Sequence, residues 1–362
     1  MLRIGILTFH QSTNYGGVLQ AYALQKALAE CGADSKIVNY RCEAIHKGNN
    51  PFLITDFSLK GVLGAIFRMY PQIKKNKVFE QFRKQYMIVT EREYTRENIA
   101  EADAKFDAFV TGSDQIWRLD LTGHDHTYFL DFTQKKKYAY SASLGAIAPN
   151  ASDEDFFKEM LGTYKDISVR EKETAVALQT LLKKRITWTV DPVFLMSQRH
   201  WVRLAGKRIE DESYIFVFRL HDRNVYEYAE QLKKITGLKI ISLESSLRGM
   251  SNAKRIRSIK VENFLNYINY AEHIVTDSFH CTAFALIFNK QVHPVLQKSN
   301  KNMNNRLLSL MSMIKQESCI VSEQPKNTAI IDYNIVMPLL NHEINNAKAY
   351  LESICEVHND TN

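Results

Sequence analysis

The chain lacks what a disulfide-stapled or zinc-organised protein needs. Its five cysteines, Cys31, Cys42, Cys281, Cys319 and Cys355, are odd in number, and no two share C-x-x-C spacing. That argues against a disulfide framework or zinc site and fits a reducing cytoplasm. No run is apolar and long enough to span a bilayer. Met1 to Leu7 lacks the apolar core and cleavage site of a signal peptide and reads as a buried strand. Neither G-x-G-x-x-G nor a P-loop occurs, so a dinucleotide or Walker-type nucleotide site is not indicated. There is no internal repeat, no low-complexity segment and no cluster of metal-ligating residues. Excess charge is also modest: 47 basic against 40 acidic residues give +7 over 362 residues. An excess so small and dispersed argues against nucleic acid. It favours anionic ligands such as phosphates, or an acidic membrane surface.

What is present is ordinary globular composition, 45% hydrophobic and 24% charged, with enough chain for two domains. Short apolar strands alternate with amphipathic helices. Leu2 to Phe9 is a strand, Val18 to Leu28 lies on a helix that stops at Gly32, and Lys36 to Tyr40 is a second strand. This βαβ opening predicts a parallel sheet. Further strands are expected at 106–111, 137–143, 166–169 and 187–190. From Tyr214 a second alternating set begins. The expected organisation is a domain over 1–192 with a basic helical insert near 44–104, a second over 193–325, and a helical tail over 326–362 packing back on the first. The fold class is α/β, two Rossmann-like domains facing a central cleft, a GT-B-type architecture.

Candidate site residues sit where strands end, the place where open α/β sheets bind ligands. Asn14, Gly16 and Gly17 lie between the first strand and its helix, where backbone N–H groups can meet a ligand or simply form a turn. Ser113 and Asp114 follow the strand at 106–111. Asp114 can act as a base, hold a sugar hydroxyl, or close an Asx turn. Arg170 stands where a strand meets a helix, suited either to a carboxylate or phosphate or to an ion pair with Glu171 or Glu173. In I-V-T-D-S-F-H-C-T (274–282), Ser278 can cap a helix. His280, expected in the turn, can bind an anion, transfer a proton, or merely pack. Cys281 points about 100° away from it and reads as packed and inert. Arg306 opens a later helix and can reach an anion or solvent. Lys60 to Met87 reads as a basic amphipathic helix, either a solvated face or one that lies on anionic lipid.

Five segments in order, N-Y-G-G-V-L-Q-A-Y-A-L-Q (14–25), G-S-D-Q-I-W (112–117), S-V-R-E-K-E (168–173), D-P-V-F-L (191–195) and T-D-S-F-H-C-T (276–282), resemble the polysaccharide pyruvyl transferase family. The resemblance covers roughly residues 1–310. It implies a GT-B-type transferase without cofactor that moves the carboxyvinyl group of phosphoenolpyruvate to a sugar as a pyruvate ketal. The acceptor it implies is galactose-like, in a capsule, exopolysaccharide or cell-wall precursor. The donor side is expected in the C-terminal domain and the acceptor side in the N-terminal one. The resemblance implies His280 as acid/base and phosphate partner, Arg170 on the donor carboxylate and Asp114 on the acceptor. Some members carry Arg-x-His where this chain has Ser278, and Arg306 or Arg219 are the candidates to replace that arginine. The expected location is cytoplasmic or peripheral at the inner membrane face, with a lipid-linked sugar as one acceptor. The alternatives are a GT-B glycosyltransferase using a nucleotide sugar and a non-catalytic sugar- or phosphate-binding relative.

Overall fold

The computed structural model describes residues 1–53, 58–244, 249–299, 301–321 and 330–356, and leaves the side chains of 59–68 and 301–302 undescribed. The side chains of Lys60, Leu63, Ile66, Phe67 and Arg68, and the expected boundary at 325/326, lie outside the described residues. The chain forms two compact units, Met1–Leu195 with Glu343–Asn362, and Met196–His342. Both are parallel α/β units, and the architecture is GT-B-type.

In the first unit the strands are β1 (Arg3–Leu7), β2 (Asp34–Ile37), β3 (Ala108–Asp114), β4 (Lys136–Ala142), β5 (Asp166–Val169) and β6 (Thr187–Trp188), in the order β2-β1-β3-β4-β5-β6. Every described pairing is parallel. Parallel strands covered on both faces must be apolar throughout. Ile4, Ile6 and Leu7 of β1 and Phe109 and Val110 of β3 are accordingly fully buried. The helix α1 (Tyr15–Glu30) buries both of its glutamines as well. That is tolerable because their amides are bonded: Gln20 Nε2 donates to Thr8 Oγ1 and Gly17 O, and Gln25 Nε2 to the carbonyls of Ile88 and Ser35.

After β2 come α2 (Glu43–Asn49) and the long α3 (Leu59–Tyr86), which runs through Pro71. Phe79 and Phe82 of α3 are buried against Tyr15 and Tyr22 of α1. Each such ring stabilises the docked insert by roughly 1.5–3 kcal/mol. The basic stretch is therefore anchored by an apolar stripe.

The second unit holds β7 (Tyr214–Phe218), β8 (Lys239–Leu243), β9 (Lys254–Ile256), β10 (His273–Thr276) and β11 (Gln291–Pro294), in the order β11-β10-β7-β8-β9. Strand order reverses between β1 and β3 in the first unit and between β7 and β10 in the second. The carboxyl ends of those strands are the crevices where doubly wound sheets take ligands. The last helix, Tyr333–Glu356, belongs to the second unit as far as His342 and to the first from Glu343. Tyr350 donates to the Ala139 carbonyl of β4 at 2.9 Å.

Candidate active site

The crevice of the first unit is built from the ends of β1 and β3. Gly112 has φ +125°, and a Cβ there would stand 2.1 Å from the Tyr140 carbonyl oxygen, so only glycine fits. The bend carries Asp114 into the left-handed region, φ +74°. Its Oδ1 accepts from the Gln115 N–H at 2.9 Å. A Cβ on Gly17 would lie 2.9 Å from Ser12 Oγ and 3.5 Å from Asp114 Oδ2. Glycine there lets the carboxylate approach the positive end of α1. Asn14 caps that helix, its Oδ1 accepting from the N–H groups of Gly16 (2.9 Å) and Gly17 (3.3 Å).

Behind Asp114 lies a buried ionic cluster. Arg170 is 4% exposed. Its Nη1 donates to Asp191 Oδ2 at 3.1 Å, its Nε to Glu171 Oε1 at 3.2 Å, and its Nη2 stands 3.7 Å from Asp114 Oδ1. Burial alone would lower its pKa, but the charges of Glu171, Asp191 and Asp114 outweigh burial and raise it. Ser113 is fully buried, with its hydroxyl 2.8 Å from the Ser141 carbonyl and 3.1 Å from Asp191 Oδ2, and its N–H donates to Gln20 Oε1. Ser143 donates to Glu171 at 2.9 Å. One guanidinium thus faces three carboxylates.

The crevice of the second unit is held by caps and straps. Asp277, after β10, accepts the N–H groups of Leu220 (2.6 Å) and His221 (2.8 Å), fastening the end of β7 to the end of β10. Ser278 caps the helix Phe279–Ile287 by accepting from the Cys281 N–H at 3.3 Å. That cap starts the helix before His280, so His280 sits in its first turn and not in the preceding turn. His280 is 6% exposed, with its ring edge-on to Phe279 at 5.2 Å. Burial pushes the Cys281 thiol far up, which makes it a poor nucleophile at neutral pH. Arg219, just past β7, donates from Nη1 to the His221 carbonyl at 2.7 Å and lies over the Tyr226 ring at 4.8 Å. Arg306 is half-buried in the first turn of the helix Asn305–Met313, its Nη2 4.0 Å from Met303 Sδ.

A model of the polysaccharide pyruvyl transferase family matches residues 14–299. The chain belongs to the polysaccharide pyruvyl transferase family. A comparison with curated proteins finds no match. Among solved structures, UDP-GlcNAc 2-epimerase from Methanocaldococcus jannaschii in complex with UDP-GlcNAc and UDP is similar, with a TM-score of 0.52 and 12% identity over 99% of both chains. The Neisseria meningitidis UDP-GlcNAc 2-epimerase bound to UDP-GlcNAc gives 0.52 and 10%, over 98% of this chain and 94% of that one. S. aureus MnaA with UDP gives 0.51 and 14%, over 97% and 90%. At such identities the likeness establishes the fold alone.

In this member of the family the four motifs of the first unit converge: Gly17, Asp114, Arg170 and Asp191 come from four separate segments and meet around one cluster. The fifth motif stands at the crevice of the second unit. The candidate residues also have partners within their own units. Arg170 is enclosed by carboxylates of its own unit, so a substrate anion would meet net negative charge there. Its geometry suits holding Asp114, not a donor carboxylate. Ser113 is buried and bonded internally through both its hydroxyl and its N–H. Asn14 and Ser278 act as helix caps, and the Gly16 and Gly17 N–H groups serve Asn14. Sequence reasoning had Asp191, Gln20 and Asp277 only as parts of motif segments and gave none of them a role at the site. The available signal was a charged or amide residue inside or beside an apolar run, which needs a buried partner. Among the described residues no group of three or more His, Cys, Asp or Glu is arranged to hold a metal, and no helix is long and apolar enough to cross a membrane.

Proposed function

We propose that the protein moves the carboxyvinyl group of phosphoenolpyruvate to a sugar diol, forming a pyruvate ketal and releasing inorganic phosphate. One observation carries the reading. In a chain of this family, the two crevices present the two groups the chemistry needs, the Asp114 carboxylate in one unit and the His280 imidazole in the other. The donor's methylene carbon gains a proton as its C2 becomes oxocarbenium-like. One sugar hydroxyl adds to C2, and a second displaces phosphate. Of the two hydroxyl protons, one balances the proton gained by the methyl group and the other leaves with phosphate. His280 is the proton donor and phosphate partner. Asp114, pinned by Arg170 and the Gln115 N–H, orients and deprotonates the acceptor. Arg219 and Arg306 are the cations left to hold the donor carboxylate, Arg170 being committed to its cluster.

Phosphate release from phosphoenolpyruvate, with and without galactosides and lipid-linked oligosaccharides, tests this. The acceptor gains about 70 Da, and His280→Gln lowers acceptor-dependent release by roughly 10²–10⁴-fold. Undiminished turnover in that variant removes His280 from the chemistry. Turnover of a UDP-sugar with none of phosphoenolpyruvate replaces the whole reading.

A further inference from the structure

The first unit contains a cavity of about 760 Å³ that the reaction above does not use. It lies between the carboxyl ends of β1 and β2 and the insert helices α2 and α3. Amides hold its wall together. Gln11 Nε2 donates to Asn39 Oδ1 at 2.8 Å, Thr13 Oγ1 to Asn49 Oδ1 at 2.9 Å, and Asn76 Nδ2 to the Asn49 carbonyl at 3.0 Å. The insert is thus tied to the loop after β1 by polar groups at the cavity itself. Asn39 Nδ2 has no partner among the described residues. Phe9, Tyr40 and Tyr128 add flat aromatic surface. Amide groups beside aromatic faces suit a polyol ring better than a flat apolar ligand.

The charges of the cavity cancel with one exception. Glu80 pairs with Lys84 at 2.5 Å, and Glu93 with Arg41 at 3.0 Å. The His10 imidazole is kept neutral chiefly by burial, with the nearby Arg83 charge adding to the effect, which holds its pKa at about 4. Arg83 itself remains. Its Nη1 is buried without a hydrogen-bond partner, and it forms no ion pair within 4 Å among the described residues, although the charge of Glu80 acts on it from farther off. A buried guanidinium donor left unmatched is costly, and an anion satisfies it.

We propose that this cavity binds a saccharide carrying one anionic group, with Arg83 on the anion and Asn39 on the hydroxyls. A uronate carboxylate and a sugar phosphate share that chemistry. That the bound sugar is the acceptor rests on the pyruvyl-transfer reading. Its support is Thr8, which lines the cavity and donates to the Ser113 carbonyl at 3.4 Å, beside Asp114.

Calorimetry on the whole chain, without donor, tests the site. The ligands are galacturonic acid, galactose 1-phosphate, galactose and inorganic phosphate. At least one charged sugar binds roughly tenfold or more tightly than galactose, an advantage that shrinks with salt and vanishes in Arg83→Gln but survives in part in Arg83→Lys. Which charged sugar wins identifies the source of the anion. Equal affinity for charged and neutral sugar in the wild type overturns the proposal, and that arm needs no variant to fold. Inorganic phosphate binding as tightly as galactose 1-phosphate overturns it too, reducing the site to a simple anion hole. Binding without pyruvyl transfer refutes the reaction and leaves the site standing. Transfer without charged-sugar preference does the reverse.

Discussion

The two crevices are built on the same topological rule by different chemistry. In the first unit the candidate carboxylate, Asp114, is fixed by a buried ion cluster drawn from β3, the end of β5 and the segment after β6. In the second, His280 is fixed by a helix cap and by backbone N–H groups gathered on Asp277. Ionic fixing is all-or-none, because removing one partner leaves uncompensated buried charge. Fixing by caps is graded, each bond contributing about 1 kcal/mol. The difference predicts a brittle carboxylate side and a tolerant histidine side.

The sharpest way to break that comparison is Arg170→Met. It leaves three carboxylates without their cation, and the urea midpoint falls by the equivalent of roughly 3–5 kcal/mol. A loss below about 1 kcal/mol refutes the account of the cluster. Next in size is acid. Burial lowers the pKa of His10 in the first unit to about 4 and of His293 in the second to about 3, where His273 adds to the effect. Above the unfolded value near 6.5 both states hold these rings neutral. Below it only the unfolded chain takes up the protons, so stability is lost as pH falls from 6.5 toward 4. The slope is up to about 1.4 kcal/mol per pH unit for each ring. Urea titrations at pH 7 and 5.5 measure it, and His293→Gln makes it shallower without abolishing it, since His10 and the buried His273 still contribute. The smallest effect is Ser278→Ala, which removes one cap and costs about 1 kcal/mol. A loss as large as that of Arg170→Met would erase the distinction between the two sides.

Much of the architecture was legible because parallel strands advertise themselves. Asp166–Val169 and Tyr214–Phe218 have the limits their apolar runs predict. The strand Lys254–Ile256 was not legible, since K-R-I at a sheet edge is exposed and carries no apolar pattern. Asp114 and His280 stand at the strand ends where the sequence placed them. The ion pair of Arg170 with the adjacent Glu171 was open to sequence reading, but its partners at 114 and 191 were not, because a charge looks the same in sequence whether it greets solvent or three buried carboxylates. The same holds for the insert. Its lysines and arginines read as one basic face, whereas the fold pairs Lys84 with Glu80 and leaves Arg83 at the cavity.

The convergence of three segments on the Arg170 cluster also constrains how this protein can be altered. Positions 114, 170, 171 and 191 form one electrostatic unit, so a change at any one is tolerated only alongside a compensating change at another. Directed evolution that samples single substitutions is blocked there. The amides of the neighbouring cavity are joined by neutral hydrogen bonds, so a single change at Asn49 loosens the wall without leaving a buried charge unpaired. Sequence drift is therefore easier along the cavity wall than around the Asp114 carboxylate.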